Sequence, residues 1–136
     1  AGVIRADASW LIALLDPLDV HHQRAVEVRD AIGDEPVILH PLTLAECLVG
    51  PAKIGTLEAM ERTLRPEVEV LDFDPQSPAR FARLRTEHRL RLPDAVVLDT
   101  ARERQSGIAT FDERLARAGR NAGLRVLGGS GAGETK

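Results

Sequence analysis

The chain has one cysteine, one tryptophan, three phenylalanines and no tyrosine, and each scarcity closes off a class of protein. The lone thiol, Cys47, permits no internal disulfide and has no partner at metal-ligand spacing, so it reads as a small buried apolar residue. With so few rings there is no obvious platform for stacking bases. The four histidines, His21, His22, His40 and His88, include no pair at zinc-ligand spacing and are expected to be structural or exposed. No run of about 18 apolar residues exists, and no basic start leads into an apolar segment with a small-residue cleavage site. The expectation is a soluble, cytoplasmic protein that does not enter a membrane.

What is present fits one α/β domain. The 136 residues are 43 % apolar, enough to bury one ordinary core. The formal charge of −3 argues against generic nucleic-acid binding, but it is unevenly spread. Residues 80–125 carry 11 arginines and 6 acids, whereas the remainder carries 7 basic and 15 acidic residues. That leaves room for a locally basic surface, or for helix faces laced with ion pairs.

Short strands alternate with helices along the chain. VIRA (3–6) reads as a strand, and Trp10, Leu11, Leu14, Leu15 and Leu18 recur at helical spacing. A second helix is expected over 20–31, a strand at PVILH (36–40), a short helix at TLAECLVG stopped by Gly50 and Pro51, and helical pattern over 55–65. VEVLDF (68–73) reads as a third strand. Asp74 and Pro75 open a helix over Ala79 to about Arg89, and another covers Asp94 to Gln105. GIATF (107–111) is a buried-type strand, Glu113 to Ala122 a helix closed by Gly123, and LRVL (124–127) the fifth strand. This alternation predicts a mainly parallel sheet with helices on both faces, one domain over 1–128. The GGSGAGETK segment is expected to form a flexible tail over 129–136 rather than a phosphate loop.

In an open parallel sheet, ligands bind beyond the carboxyl ends of the strands, near the point where strand order reverses. Four acids stand at helix starts that could converge there: Asp7 after the first strand, Glu46 in the first turn of the helix after the second, Asp94 beginning a later helix, and Asp112 after GIATF. Each has a plain structural use. Thr43 with Glu46 and Thr110 with Glu113 fit capping boxes, Pro93 suits the first position of a helix, Asp7 fits an N-cap, and Asp94 or Asp112 complements a helix dipole. Yet Asp94 shares a helix face with Val97, Leu98 and Ala101, pointing it toward the sheet, although Val96 on the other side makes this helix apolar nearly all round. Asp72 and Asp74 show that acids at junctions need not be ligands. Two unit charges about 4 Å apart repel by roughly 4 kcal/mol at an effective dielectric of 20, so converging carboxylates call for a cation. A hard divalent ion with oxygen ligands, Mg²⁺ above all, suits an acid-rich and histidine-poor set.

The strand ending in Asp7-Ala-Ser9, the Leu-Ala-Glu46 segment, the PDAVVLDTA helix start at Asp94 and the Ala-Thr110-Phe-Asp112 strand end together resemble the acidic signature of PIN domains. Within these the chain looks most like the VapC toxins of bacterial toxin–antitoxin pairs, over roughly residues 3–127. The resemblance implies a three-layer αβα sandwich, a homodimer, a cognate VapB-type antitoxin, and an Mg²⁺- or Mn²⁺-dependent endoribonuclease leaving 5′-phosphate and 3′-hydroxyl ends. Carried over, Asp7, Glu46, Asp94 and Asp112 form the acidic tetrad. Asp7, Asp94 and Asp112 would hold the metal, Glu46 would bind a second ion or orient the attacking water, and Ser9 and Thr110 would support the carboxylates. Arg85, Arg89, Arg91, Arg102, Arg104 and Arg114 are the candidates for RNA phosphates. The stripe Trp10, Leu11, Leu14 and Leu15 reads as core, with any exposed part a candidate antitoxin surface. Asp99 lies about 140° round the helix from Asp94 and is expected on the outer surface, paired near Arg102.

Three other readings compete. A phosphoacceptor receiver needs a lysine near the end of the last strand, and Lys53 and Lys136 are not suitably placed. A catalytically silent binding module keeps the fold and uses the acids as caps. A DNA or flap nuclease uses the same metal chemistry, and nothing in the sequence marks recognition of a 2′-hydroxyl.

Overall fold

The computed structural model describes residues 2–128, so the expected tail over 129–136 lies outside the described residues. Five strands form one all-parallel sheet in the order β3-β2-β1-β4-β5, from β1 (Ile4–Ala6), β2 (Val37–Leu39), β3 (Glu69–Val70), β4 (Gly107–Ala109) and β5 (Val126–Leu127). The helices are α1 (Ala8–Leu15), α2 (His22–Ile32), α3 (Pro41–Lys53), α4 (Leu57–Leu64), α5 (Ser77–His88), α6 (Leu92–Arg104) and α7 (Glu113–Asn121), with a 3₁₀ turn over Arg65–Glu67. Each link between successive strands contains a helix, as parallel pairing requires.

The sheet divides the core in two. Ile4, Ala6, Val37, Leu39 and Ala109 pack with Trp10, Ala25, Val28 and Leu44 from α1, α2 and α3. Ile108 belongs to the other cluster, with Phe81 and Leu84 of α5, Val97 and Leu98 of α6, and Leu115 of α7. Alternation along strands as short as β4 thus feeds both layers. α7 lies close to the sheet because Gly119 has no side chain: a Cβ there would stand 3.1 Å from Val126 Cγ2 and 3.2 Å from Ile108 Cδ1.

Three local expectations fail. α3 does not stop at Gly50 but runs through Pro51 to Lys53. Pro51 falls in the last turn, where its missing N–H removes a single helical bond. The start of α3 also differs from the expected Thr43–Glu46 capping box. Pro41 takes the first position, and the His40 ring accepts a hydrogen bond from the Leu42 N–H at 3.0 Å. Thr43 is buried inside the helix. The third strand is shorter than VEVLDF: β3 is an edge strand of two residues, extended by the Leu71 N–H donating to Leu39 O at 2.9 Å.

The topology sets the site. From β1 the chain builds outward through β2 to β3, then returns by α5 and α6 to place β4 on the other side of β1. Strand order therefore reverses between β1 and β4, and the carboxyl ends of these two strands flank the reversal point.

Candidate metal centre

Asp7 follows β1 directly and occupies the N-cap position of α1, yet its carboxylate makes no capping bond. Its Oδ2 instead accepts from the hydroxyls of Ser9 at 2.5 Å and Thr110 at 2.7 Å, the latter from beyond β4. The Asp7 N–H donates to Ala109 O at 3.0 Å, which locks the two strand ends side by side. Thr110 Oγ1 in turn accepts from the Asp112 N–H, and Ser9 Oγ from the Phe111 N–H, both at 2.9 Å. The two supporting hydroxyls thus join Asp7 to the segment carrying Asp112. Thr110 is not the expected cap. That part falls to Asp112, whose Oδ1 accepts from the Leu115 N–H at 3.0 Å at the start of α7.

Asp94 lies in the first turn of α6 and is almost fully buried, 1 % exposed. All residues from Asp94 to Ala101 are buried, which explains why an apolar stripe could not orient this helix from sequence. Asp94 Oδ2 takes the Arg91 guanidinium at 3.3 Å, and Asp112 Oδ2 takes the same guanidinium at 3.2 Å. Asp94 Oδ1 is buried with no partner. A carboxylate oxygen in that position loses its hydration with nothing in return, so it is poised for an added donor or cation.

The charges register one another. Burial pushes the Asp94 carboxyl up to about 6, reinforced by Asp112 and Asp7 and only partly offset by Arg91. Asp7 is raised chiefly by burial and also by Asp112, against hydrogen bonds from Ser9 and Thr110. Glu46, on α3, is raised by burial and then by Asp7. Cys47 beside it is buried, its thiol pushed up to about 12 by burial with Asp7 and Glu46 adding to the effect. Four acids from four elements therefore share one electrostatic field. Among the described residues no three of them stand close enough to ligate one ion as they are, Arg91 lying between two. The donor set is nonetheless all oxygen, and the orphaned Asp94 Oδ1 fits a hard cation. Asp7, Asp94 and Asp112 are the residues that would hold it.

The PIN-domain family model matches residues 4–121, from β1 through all four acids to the end of α7. The chain belongs to the PIN-domain family. No curated protein sequence matches it significantly. Among solved structures, it is similar to VapC20 of Mycobacterium tuberculosis, a sarcin-ricin loop cleaving toxin, at TM-score 0.72 and 19 % identity over 85 % of this chain and 95 % of that one. A toxin–antitoxin complex from Klebsiella pneumoniae matches at TM-score 0.67 and 23 % identity over 80 % and 86 %. FitAcB from Neisseria gonorrhoeae matches at TM-score 0.67 and 21 % identity over 91 % and 96 %. At these identities the likeness is one of fold.

The candidate arginines scatter around this PIN domain. Arg91 touches the acids. Arg89 and Arg114 share an open cleft of about 470 Å³ with His88 and Arg117, the last unremarked in the sequence although it follows Arg114 by one helical turn. Arg85 is exposed, and its Nε donates to Leu90 O at 3.1 Å. Arg102 and Arg104 lie near the far end of α6, about 12 and 15 Å along the axis from Asp94 at 1.5 Å per residue. They do not join the acid cluster. Asp99 is not on the outer surface and does not pair with Arg102: it is buried, and Arg80 of α5 grips both its oxygens at 2.9 and 3.1 Å. Of the apolar stripe, Trp10 and Leu11 are core, the Trp10 indole N–H donating to Ala25 O at 3.3 Å, so neither offers a surface to a partner. Leu14 and Leu15 are half-buried at the edge of a small apolar pocket with Val37, Leu64 and Val68.

Proposed function

We propose that this PIN domain is a VapC-like endoribonuclease toxin that depends on Mg²⁺ or Mn²⁺ and is held in check by a VapB-type antitoxin. The observation that carries this reading is the convergence of Asp7, Asp94 and Asp112 from three elements at the reversal point of the sheet, with one buried carboxylate oxygen unpartnered. A bound divalent ion would stabilise charge on the phosphoryl oxygens during in-line hydrolysis. The protein's own part is positioning. Ser9 and Thr110 hold one oxygen of Asp7, while Asp112 spends one oxygen on capping α7 and turns the second toward Arg91 in the site. Glu46 reaches the cluster from α3 and, with its carboxyl raised, is suited to orient or deprotonate an attacking water.

RNA is the favoured substrate class. The similar VapC20 is a sarcin-ricin loop cleaving toxin, and His88, Arg89, Arg114 and Arg117 line a basic cleft along α7, the helix that Asp112 caps. Antitoxin docking is assigned to the edge of α1 at the half-buried Leu14 and Leu15. Homodimerisation and a cytoplasmic location belong to the same reading. Among the described residues no helix is long and apolar enough to cross a membrane.

The test is cleavage of structured RNAs and single-stranded DNA by antitoxin-free protein in Mg²⁺, Mn²⁺ or EDTA, with Asp94→Asn alongside. Metal-dependent RNA cutting that disappears in the variant is the expected result. Cutting of DNA alone would move the assignment to a DNA nuclease. A folded protein that cuts neither polymer and binds no metal would leave a silent binding module.

A further inference from the structure

We propose that Arg91 is the built-in counter-ion of the acid cluster, bridging Asp94 and Asp112 until an entering divalent cation displaces it. This rests on the metal-site reading above and adds to it the state of the protein before metal arrives. Arg91 stands at the N-cap position of α6, two residues beyond Arg89, which turns the chain through a left-handed conformation at φ 54°. That turn brings the Arg91 side chain back over the first turn of its own helix. The Arg91 side chain is 66 % exposed while that of Asp94 is 1 % exposed, so the arginine lies on the solvent side of Asp94.

The bridge is loose. Contacts of 3.3 and 3.2 Å are longer than the roughly 2.7–2.9 Å of a good charge-assisted hydrogen bond. Each carboxylate gives Arg91 one oxygen only, and Asp94 Oδ1 remains without a partner. A guanidinium fork is shaped to take two oxygens of one carboxylate, and it takes neither pair here. The arrangement neutralises part of four neighbouring negative charges without saturating them. A divalent ion seated between Asp94 and Asp112 would replace these contacts, and like charges within about 4 Å repel strongly, so ion and guanidinium exclude one another. An exposed, flexible arginine can swing out, and the exchange needs no movement of the helices.

The decisive measurement is calorimetric titration of Mn²⁺ into metal-free wild type, Arg91→Gln, Arg91→Lys and Asp94→Asn, with thermal melts of each in EDTA and in Mn²⁺. Arg91→Gln should bind Mn²⁺ about tenfold more tightly, about 1.4 kcal/mol. It should also melt lower than wild type in EDTA and gain more from the ion, since it has lost the cluster's cation. Arg91→Lys, which keeps the charge but not the fork, should fall between the two. If wild type binds Mn²⁺ and Arg91→Gln binds it no better, Arg91 merely holds the carboxylates in place and the inference fails alone. If neither binds, the metal centre itself fails. Asp94→Asn should bind poorly in every case where the centre is real.

Discussion

Two arginines in this protein each stand between two aspartates on opposite sides of α6, and they behave as opposites. Arg80 takes both oxygens of Asp99 and one of Asp74, all at 2.9–3.1 Å. Two of the three are at 2.9 Å and both Asp99 oxygens are taken, and Asp74 is held below the usual carboxylate range by the Gln76 N–H and by Arg80. Arg91 makes two longer contacts, leaves a buried oxygen bare, and sits among acids pushed the other way, Asp94 up to about 6. A saturated bridge fastens α5 to α6. An unsaturated one keeps negative charge in reserve, and reserve charge is what a metal site needs.

The sharpest way to break this comparison is to neutralise one aspartate on each side. Asp94→Asn is expected to lower RNA cleavage by about a thousandfold or more, since it removes charge aimed at the phosphoryl-transfer centre. Asp99→Asn should leave cleavage within about twofold and instead lower the melting temperature by roughly a few degrees, reflecting a partly buried pair broken on one side. Rates and melts of the two variants measured in parallel decide it. Equal losses of activity would mean that the two bridges are one functional unit.

A smaller effect separates them by pH. Asp94 has a folded value of about 6 against an ordinary 3.8, so between these values the folded state binds the extra proton. Its contribution to stability is therefore present below about pH 4 and lost as pH rises through about 6, up to about 3 kcal/mol at 1.36 kcal/mol per unit. Asp74 has the opposite sign, its contribution being lost only as pH falls below the ordinary carboxylate range. Metal-free protein should thus melt higher at pH 5 than at pH 8, and Mg²⁺ should close most of that gap by neutralising the cluster. A flat profile from pH 5 to 8 in EDTA would show that Arg91 already compensates the acids.

Much of this was legible in the sequence because it depends on order along the chain. Strand, junction acid and helix recur at Asp7 and Asp112, Asp94 opens the helix that leads into β4, and the parallel topology does the gathering. What stayed hidden depends on contacts with no sequence period. Asp99 was placed outside because a helix wheel records angle but not depth, and α6 is buried on every side. Its partner Arg80 lies 19 residues away on another helix. The capping boxes at Thr43 and Thr110 failed for a similar reason. His40 and Asp112 stood nearer to the true helix starts, and Thr110 was drawn into holding Asp7.

Hydroxyl support provides a third test, milder again. Thr110→Val keeps the shape of a fully buried side chain but removes the donor to Asp7 and the acceptor for the Asp112 N–H. Outer partners of this kind typically contribute about 10- to 100-fold in metal affinity or activity. The variant should therefore weaken Mn²⁺ binding and cleavage together by about that factor. The matching change beside the closed bridge, Ser77→Ala, removes only a hydroxyl bonded to Asp74 O and should leave both unchanged. Equal behaviour of the two would demote Thr110 to packing.

The least effect, and the one most sensitive to salt, concerns two grooves nearly equal in volume at about 460 and 470 Å³, one beside the Arg80 bridge and one along α7. Size cannot choose between them, but charge can. Beside Arg80, three arginines, Arg80, Arg83 and Arg102, face three acids, Glu87, Asp99 and Glu103. The cleft toward α7 sets Arg89, Arg114 and Arg117 against Glu87 alone. A phosphate backbone gains from releasing counter-ions only where positive charge is unpaired, so the second cleft should carry the strand. In a non-cutting Asp94→Asn background, Arg114→Ala or Arg117→Ala should each reduce the salt slope of RNA binding by about one, with little change in sequence preference. Arg102→Ala should leave the slope as it was. The reverse result would route the strand along the α5–α6 groove, past the Arg80 bridge.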